Sequence, residues 1–290
     1  MGAEIRPLRT LDELHACEDL QQRIWGFRDR SVVPHHLLRT SLEAGGVLLG
    51  AFDEGSMIGF VFSFPGYDGP TDRWKHCSLM CGVLPDRQYH GVGFRLKRAQ
   101  REAVLAQGLD LVTWTFDPLQ SLNAHFNLTK LGAIARRYER NIYGDIRDHL
   151  NQGLQTDRFT AEWWLRSPRV ERRMEDNFHP PIDPPVDDPD GRLNRVMWTD
   201  AGHPYNDEIV LDREAERLWV EIPSAVNALK ADDLSLARRW RAETRQMFER
   251  AFHRGWIARA LVTAERDGRR RSWYRLDRTS LGDLLDSPSL

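Results

Sequence analysis

Residues 83–103 read VLPDRQYHGVGFRLKRAQREA, and this stretch decides how the first half of the chain folds. The apolar run Cys77–Leu84 predicts a β-strand. Two glycines, Gly91 and Gly93, follow seven and nine residues after its end. From there, apolar residues recur every three or four positions, which predicts one buried face of a helix: Val92, Leu96, Ala99, Ala103 and Ala106. The stretch therefore predicts a strand, a glycine loop and an amphipathic helix.

The glycine pair predicts a site for an anion. Glycine permits backbone conformations and close approaches that a β-carbon would forbid. The first N–H groups of a helix lack intrahelical partners and lie at the positive end of its dipole, so they suit a pyrophosphate. No acidic residue lies between Gln88 and Arg101, and three basic residues add positive charge: Arg87, Arg95 and Lys97. A tight turn without a ligand is the alternative interpretation.

Two common nucleotide loops do not fit this stretch. A dinucleotide fingerprint needs a third glycine at the position of Leu96, inside a parallel βαβ unit. A P-loop needs Gly-Lys followed by Ser or Thr, which is missing here. The glycine pair therefore predicts a phosphate ligand of another kind.

The elements around the loop predict a mixed α/β sheet. Two strands joined by the turn Asp53–Ser56 form an antiparallel hairpin. The other predicted elements of the first half are a strand at 3–9, a helix at Leu11–Trp25, a helix after Pro34, strands at Cys77–Leu84 and 109–116, a short helix that Gly132 closes, and strands at 133–144 and 161–167.

The second half predicts a smaller unit without a glycine loop. The run HPPIDPPVDDPDG holds five prolines and four aspartates, which is typical of a linker or strap. A strand at 217–223, a helix from Asp233 to Arg254 and a hairpin around Asp267-Gly268 follow. The predicted organisation is a first domain at 1–167, a linker at 168–192 and a C-terminal subdomain at 193–290.

Composition excludes several classes of protein. A formal net charge of −2 and 41% apolar residues lack the basic footprint of a nucleic-acid-binding protein. No run approaches the roughly 20 apolar residues that span a bilayer, and the N-terminus lacks the apolar core of a signal peptide. Three cysteines, an odd number, favour buried thiols over disulfides. We therefore expect a cytoplasmic protein with no membrane or nucleic-acid partner.

The motif Val83-x-Pro85-x-x-Gln88-x-x-Gly91-x-Gly93 strongly resembles the coenzyme A loop of the GNAT superfamily of acyl-CoA-dependent N-acyltransferases. The element order up to about residue 166 resembles that fold as well. Residues 96–144 and the stretch TDRFTAEWW resemble an uncharacterised bacterial branch of predicted acetyltransferases that carries a C-terminal extension. The resemblance implies a GNAT fold with a mixed sheet, followed by a smaller C-terminal α+β subdomain.

The resemblance also implies which residues bind the cofactor. Backbone N–H groups would hold the pyrophosphate at Gln88, Tyr89, His90, Gly91, Val92, Gly93 and Phe94. Strand residues Cys81, Gly82 and Val83 would pair with the pantetheine amides, and Asn123 would contact the pantetheine. The thioester would lie where two strands separate, between Cys81–Leu84 and Trp114–Asp117, with an N–H near Val83 stabilising the oxyanion. Trp25, followed by Phe27, would form part of the acceptor wall, although core packing fits it equally.

Several residues are candidates for the catalytic groups. Asp117 is a candidate base, but Asp117-Pro118-x-Gln120 also fits a helix N-cap, which is favoured. At the position where family members commonly place a tyrosine acid, this chain has Leu128. Tyr143 and Tyr138 are candidate replacements. His76 and His125 are candidate proton relays, because histidine in general titrates near neutrality, but structural roles are favoured for both.

These residues predict direct transfer of an acetyl group, or a larger one such as succinyl, to a primary amine of a small molecule or amino acid. The cosubstrate is acetyl-CoA or another acyl-CoA. No His or Cys spacing predicts a metal site. The alternative is a non-catalytic acyl-CoA-binding module with an interaction role. A homodimer is one expected assembly.

Overall fold

A computed structural model describes residues 3–27, 29–88, 91–144, 153–175, 178, 184 and 190–287. The described chain forms two compact units, one up to Trp114 and one from Thr115 onward. Of the helices in these ranges, none is both long and apolar enough to cross a membrane. The division falls inside a strand, Leu111–Phe116.

The first unit is a mixed sheet flanked by helices, which confirms the predicted α/β class. Its sheet has the order β1-β2-β3-β4-β5, and only the β4–β5 pair is parallel. The elements are β1 Glu4–Pro7, α1 Leu11–Trp25, α2 His35–Glu43, β2 Val47–Asp53, β3 Ser56–Asp68, β4 Arg73–Val83, α3 Val92–Ala106 and the start of β5 Leu111–Phe116.

Local sequence signals placed most of these elements correctly. Helix α1 has the predicted bounds, because Thr10 and Glu13 form a capping box before it and Gly26 ends it in the left-handed region. The β2–β3 hairpin turns at Glu54 and Gly55, whose φ angles are +49° and +80°. Both angles are positive, as a two-residue hairpin turn requires.

Helix α3 begins at the predicted residue, but its buried face differs from the prediction. Val92 and Leu96 are buried as expected, whereas Ala99 and Ala103 are half-buried and Ala106 is exposed. The other buried residues of the helix are Lys97, Gln100 and Val104. The helix is therefore rotated so that two polar side chains face the sheet.

The strands of the second unit follow one another in the order β7-β6-β11-β12-β10, and β8 and β9 form a separate two-stranded ribbon. Its elements are α4 Ser121–Ala124, a π-helix His125–Lys130, β6 Ile134–Glu139, β7 Arg158–Trp164, α5 Pro168–Arg173, β8 Asn194–Trp198, β9 Pro204–Ile209, β10 Arg217–Ile222, α6 Val226–Asp232, α7 Leu234–His253, β11 Ile257–Arg266, β12 Arg269–Asp277 and α8 Leu281–Asp286.

The units differ from the predicted domain bounds. Strand β6, predicted to belong to the first domain, pairs with β11 through Ala135 and Ala258. The predicted linker begins with helix α5, which the side chain of Ser167 caps. Of the Pro/Asp-rich run itself, most residues lie outside the described ranges. A local composition signal does not report the long-range pairing that joins β6 to a strand more than 100 residues away.

The two cores differ in composition. The first unit buries aliphatic side chains of α1 and α2 together with Phe60 and Phe62 of β3. The second unit buries an aromatic cluster in which the ring centroid of Phe248 lies 4.7 Å from that of Phe159 and 5.0 Å from that of Tyr274. Edge-to-face pairs of this kind add to the free energy gained from burial.

Candidate functional site

The loop between β4 and α3 ends on a glycine in an unusual conformation. Gly91 is the N-cap of α3 and has a φ of +74°, in the left-handed region. A β-carbon at Gly91 would meet no heavy atom within 4 Å, so backbone conformation, and not space, favours glycine there. Within the described chain, no side chain caps α3, and its first turn holds no acidic residue. The start of α3 is therefore electropositive.

Before Gly91, the residues Leu84 and Gln88 are hydrogen-bonded to strands β3 and β4. The Leu84 N–H donates to the carbonyl of Ile58 at 2.9 Å, and the Gln88 side chain donates to the carbonyl of Val83 at 3.2 Å. Arg87, predicted to add positive charge for a phosphate, instead pairs with Asp53 at 3.0 Å. Tyr89 and His90, two of the predicted pyrophosphate contacts, lie outside the described residues.

The end of β4 pairs fully on only one edge. Toward β3, Cys81, Gly82 and Val83 have the partners Val61, Phe60 and Gly59. Toward β5, the pairing consists of His76 with Val112 and Cys77 with Thr113. Within the described sheet, residues 78–83 therefore have no partner on the β5 side. Their backbone groups are available to another extended chain.

Trp25 packs directly on this part of β4. A β-carbon on Gly82 would lie 2.8 Å from two ring atoms of Trp25, so the glycine permits close contact. The Trp25 ring also stacks on Phe27 at 5.3 Å and meets Phe60 edge-on at 5.8 Å. These contacts favour the packing interpretation of Trp25. Its predicted contact with an acceptor stays a prediction.

Lys97 lies in the interior and does not extend toward a phosphate as predicted. Its ammonium Nζ donates to Gln100 Oε1 at 2.8 Å and Ser78 Oγ at 3.2 Å, and it lies 3.9 Å from the centre of the Trp114 ring. Burial lowers the pKa of Lys97 to about 8. Burial has the opposite effect on an acid, and it raises the pKa of the nearby Cys81 thiol. A charged amine therefore lies beneath the part of β4 that has an open edge.

His76 is a structural residue of the same sheet. Its Nδ1 lies 3.0 Å from Ser63 Oγ and its Nε2 lies 2.7 Å from Gln107 Oε1. Burial lowers the pKa of this imidazole, so the neutral form is favoured. Both ring nitrogens are engaged, as the favoured interpretation from the sequence expects.

In the second unit, Asp117 makes a turn contact and an ion pair. One oxygen accepts the Leu119 N–H at 2.8 Å, and the other lies 2.6 Å from Arg241 Nη2. Both side chains are buried. The helix that follows begins at Ser121 and has Gln120 as its N-cap, so the predicted N-cap at Asp117 is wrong. The carboxylate instead closes the turn before that helix and pairs with an arginine that the sequence did not reveal. A role for Asp117 as a base stays a prediction.

The two candidate tyrosines have different surroundings. The Tyr138 side chain is half-buried and its hydroxyl donates to Asp157 Oδ2 at 2.6 Å, and desolvation raises the pKa of this phenol. Tyr143 is exposed, and its hydroxyl lies 2.7 Å from Thr115 Oγ1 at the end of β5. Tyr143 is therefore the better placed of the two to meet a ligand.

The remaining predicted residues lie in or near α4. Leu128, at the position of the family tyrosine, is fully buried in the π-helix. His125 Nδ1 lies 3.0 Å from the carbonyl of Leu261, which matches its favoured structural role. Asn123 is exposed and accepts a hydrogen bond from Asn127 at 3.2 Å. Its contact with pantetheine stays a prediction.

Comparison with known proteins gives similarity only at the level of structures. No protein-family model matches the chain, and no curated protein matches it by sequence. The chain is similar to solved N-acetyltransferases over about 56% of its length.

Three such structures illustrate the likeness. The ribosomal-protein-S18-alanine N-acetyltransferase of Escherichia coli is 17% identical, with 56% of this chain and 94% of that chain covered and a TM-score of 0.44. A GNAT-family acetyltransferase of Streptococcus pneumoniae is 13% identical, with 55% and 97% covered and a TM-score of 0.45. The Thermoplasma acidophilum PaiA N-acetyltransferase, in complex with coenzyme A, is 16% identical, with 57% and 99% covered and a TM-score of 0.42. At these identities the likeness concerns the fold alone.

Proposed function

We propose that this protein is an acyl-CoA-dependent N-acyltransferase. It would move an acetyl group, or a larger one such as succinyl, directly to a primary amine of a small molecule or amino acid. The observation that carries the proposal is the start of α3, where Gly91 in the left-handed region opens a helix without a capping side chain or an acid in its first turn. Together with the sequence motif that resembles a coenzyme A loop, this start favours a pyrophosphate ligand.

The open edge of β4 supports the same ligand. Pantetheine carries two amides in an extended chain, and residues 78–83 have no partner toward β5 within the described sheet. An extended chain that adds to a free strand edge gains backbone hydrogen bonds. The predicted contacts of Cys81, Gly82 and Val83 with pantetheine use this edge.

The proposed reaction needs few side chains. The amine nitrogen attacks the thioester carbonyl, the carbon–sulfur bond breaks, and the thiolate of CoA leaves. A backbone N–H near Val83 would stabilise the oxyanion. Both carboxylate oxygens of Asp117 are engaged, one by Arg241 and one by the Leu119 N–H. We therefore propose that water accepts the proton of the amine. Tyr143 is our proposed donor of a proton to the thiolate, because its hydroxyl is exposed.

Leu128 favours a second candidate, an acyl-CoA-binding module without catalysis. A buried hydrocarbon cannot donate a proton to a leaving thiolate. Release of free thiol from acetyl-CoA and succinyl-CoA, measured across a library of primary amines, separates the two candidates. Turnover with any amine supports the enzyme, and binding of CoA without turnover across the library supports the module.

A pair of variants tests the loop itself. Valine is strongly disfavoured at a φ of +74°, whereas asparagine tolerates this region. We expect Gly91→Val to weaken CoA binding by at least about 30-fold, roughly 2 kcal/mol, and Gly91→Asn to weaken it far less. Equal CoA affinity in the folded valine variant and the wild type would leave the glycine as a turn residue and remove the support for both candidates.

A further inference from the structure

Three potential metal ligands meet where α1 packs beside the start of α2. The side chains of His15 and Glu18 extend from α1, and that of His35 from the first residue of α2. One ligand atom of each residue lies within 4.8 Å of those of the other two. All three residues belong to the first unit, and none has a part in the proposed acyl transfer. We propose that these residues form a binding site for a divalent transition-metal ion of the zinc class.

The distances suit such an ion. His15 Nδ1 lies 3.0 Å from Glu18 Oε2, and His35 Nδ1 lies 3.1 Å from Glu18 Oε1. In a tetrahedral zinc site with bonds of about 2.0–2.1 Å, neighbouring ligand atoms are about 3.3 Å apart. Small side-chain rotations would therefore bring both nitrogens and a carboxylate oxygen around one ion.

The two imidazole rings lie close together and face one shared carboxylate. Their ring centroids are 4.3 Å apart, and both direct Nδ1 at the same carboxylate. A metal ion bound between them would attract both ring nitrogens and the carboxylate.

The carboxylate is already oriented by the backbone. Pro34, the N-cap of α2, provides no side-chain hydrogen bond, and Glu18 Oε1 accepts the His35 N–H at 2.6 Å. This contact holds one oxygen at α2 while Oε2 faces His15. Backbone hydrogen bonds of this kind orient metal-binding carboxylates and strengthen metal sites.

Exposure leaves room for further ligands. The side chains of His15, Glu18 and His35 are 48%, 22% and 36% exposed, so solvent reaches the site. Three protein ligands leave a fourth position for water. The ion would fasten α1 to α2 beside a second link, in which Gln21 bonds both the N–H and the carbonyl of Val33. We therefore assign the ion a clamping role at this helix pair.

The experiment titrates the metal-free full chain with Zn²⁺ by calorimetry and with Co²⁺ by visible absorption. We expect one equivalent to bind and to raise the melting temperature. His15→Ala, His35→Ala and Glu18→Gln should each weaken binding at least about tenfold. His253→Ala removes an exposed histidine at the end of α7 and serves as the matched control. It should bind as the wild type does.

Two results would overturn the proposal. One is the absence of saturable binding at roughly 100 μM metal, a level at which even a weak site of micromolar affinity fills. The other is binding that persists undiminished in both His15→Ala and Glu18→Gln, since the ion would then lie elsewhere. Neither result depends on CoA binding or on acyl transfer, so the metal site and the proposed function fail independently.

Discussion

Helices α1 and α3 have the same length, 15 residues, and begin in opposite ways. At α1, the Thr10 side chain accepts the N–H of Glu13, and the Glu13 carboxylate accepts the N–H groups of Arg9 and Thr10. At α3, no described side chain makes such a contact, and glycine occupies the cap. The protein thus satisfies one helix start with its own side chains, whereas the other, where we propose that CoA binds, has no side-chain cap among the described residues.

The two helices also differ in the polar residues that they bury: α1 buries a neutral residue, and α3 buries a charged one. Gln21 of α1 is neutral, and its amide makes two hydrogen bonds to Val33. Lys97 of α3 is charged, and its burial costs solvation free energy. Features that lower stability are commonly retained where they serve function. The difference is consistent with our proposal that α3 binds a ligand and α1 does not.

Among the variants that test the difference between α1 and α3, Lys97→Met has the largest expected effect. The substitution removes a buried charge, while Gln100 and Ser78 keep a hydrogen bond to each other at 3.2 Å. We expect it to raise the free energy of unfolding at pH 7 by up to about 3 kcal/mol. Chemical denaturation measures the change. A clear loss of stability would contradict the view that the buried ammonium is a cost.

The same lysine predicts a pH dependence with a definite sign. Its pKa is about 8 in the folded chain against an ordinary 10.5. Between these values the unfolded chain binds more protons, so the stability of the wild type should increase as the pH rises from 8 to 10.5. Lys97→Met should lack this increase. Parallel slopes for both proteins would contradict the assignment.

The next effect concerns CoA affinity, and it comes from placing a glutamate in the first turn of α3, as α1 has. Phe94 occupies the third position of α3, as Glu13 does in α1. A carboxylate there would occupy and repel the proposed pyrophosphate position, so Phe94→Glu should bind CoA about 100-fold more weakly than Phe94→Gln, a difference of about 2.7 kcal/mol. The glutamine variant controls for the lost ring. Calorimetric titration with CoA gives both constants, and equal affinities would contradict the proposed anion site.

A smaller effect is expected at the start of α1. Thr10→Ala removes the capping hydroxyl and should lower the free energy of unfolding by about 1 kcal/mol. Because α1 has satisfied its own N–H groups, the CoA affinity of this variant should stay within about twofold of the wild type. Denaturation and CoA titration of one preparation test both statements. Weaker CoA binding would show that the two helix starts are not independent.

The last effect concerns Glu13. Hydrogen bonds from the backbone N–H groups of Arg9 and Thr10 lower its pKa from 4.5 to about 2. The stability it contributes is therefore present above pH 4.5 and is lost as the pH falls toward 2. NMR titration of the carboxyl carbon measures the pKa directly. A value near 4.5 in the folded protein would contradict the capping box.

Local signals explain what the sequence could predict. Helix α1 begins at the capping box of Thr10 and Glu13 and ends before Gly26. Two hairpins turn at Glu54-Gly55 and at Asp267-Gly268. Each of these signals acts over a few residues. The start of α3 was predicted for the same reason. These features depend on backbone preferences that neighbouring residues determine.

Tertiary contacts explain what the sequence could not predict. Lys97 and Arg87 looked like phosphate ligands, but packing directs Lys97 to Ser78, and the β2–β3 hairpin presents Asp53 to Arg87. The spacing of Lys97, Gln100 and Val104 by three and four was a signal for the true buried face. The meeting of His35 with His15 across 20 residues had no local signal.

The most direct test of the central claim is the thermal unfolding of the full chain with and without CoA. A ligand that binds only the folded state stabilises it by about 2.7 kcal/mol at 100 times its dissociation constant. We predict a rise in melting temperature of several degrees with CoA that the Phe94→Glu variant does not show. An unchanged melting temperature of the wild type at about millimolar CoA would contradict the account, because the uncapped start of α3 would then bind no such ligand.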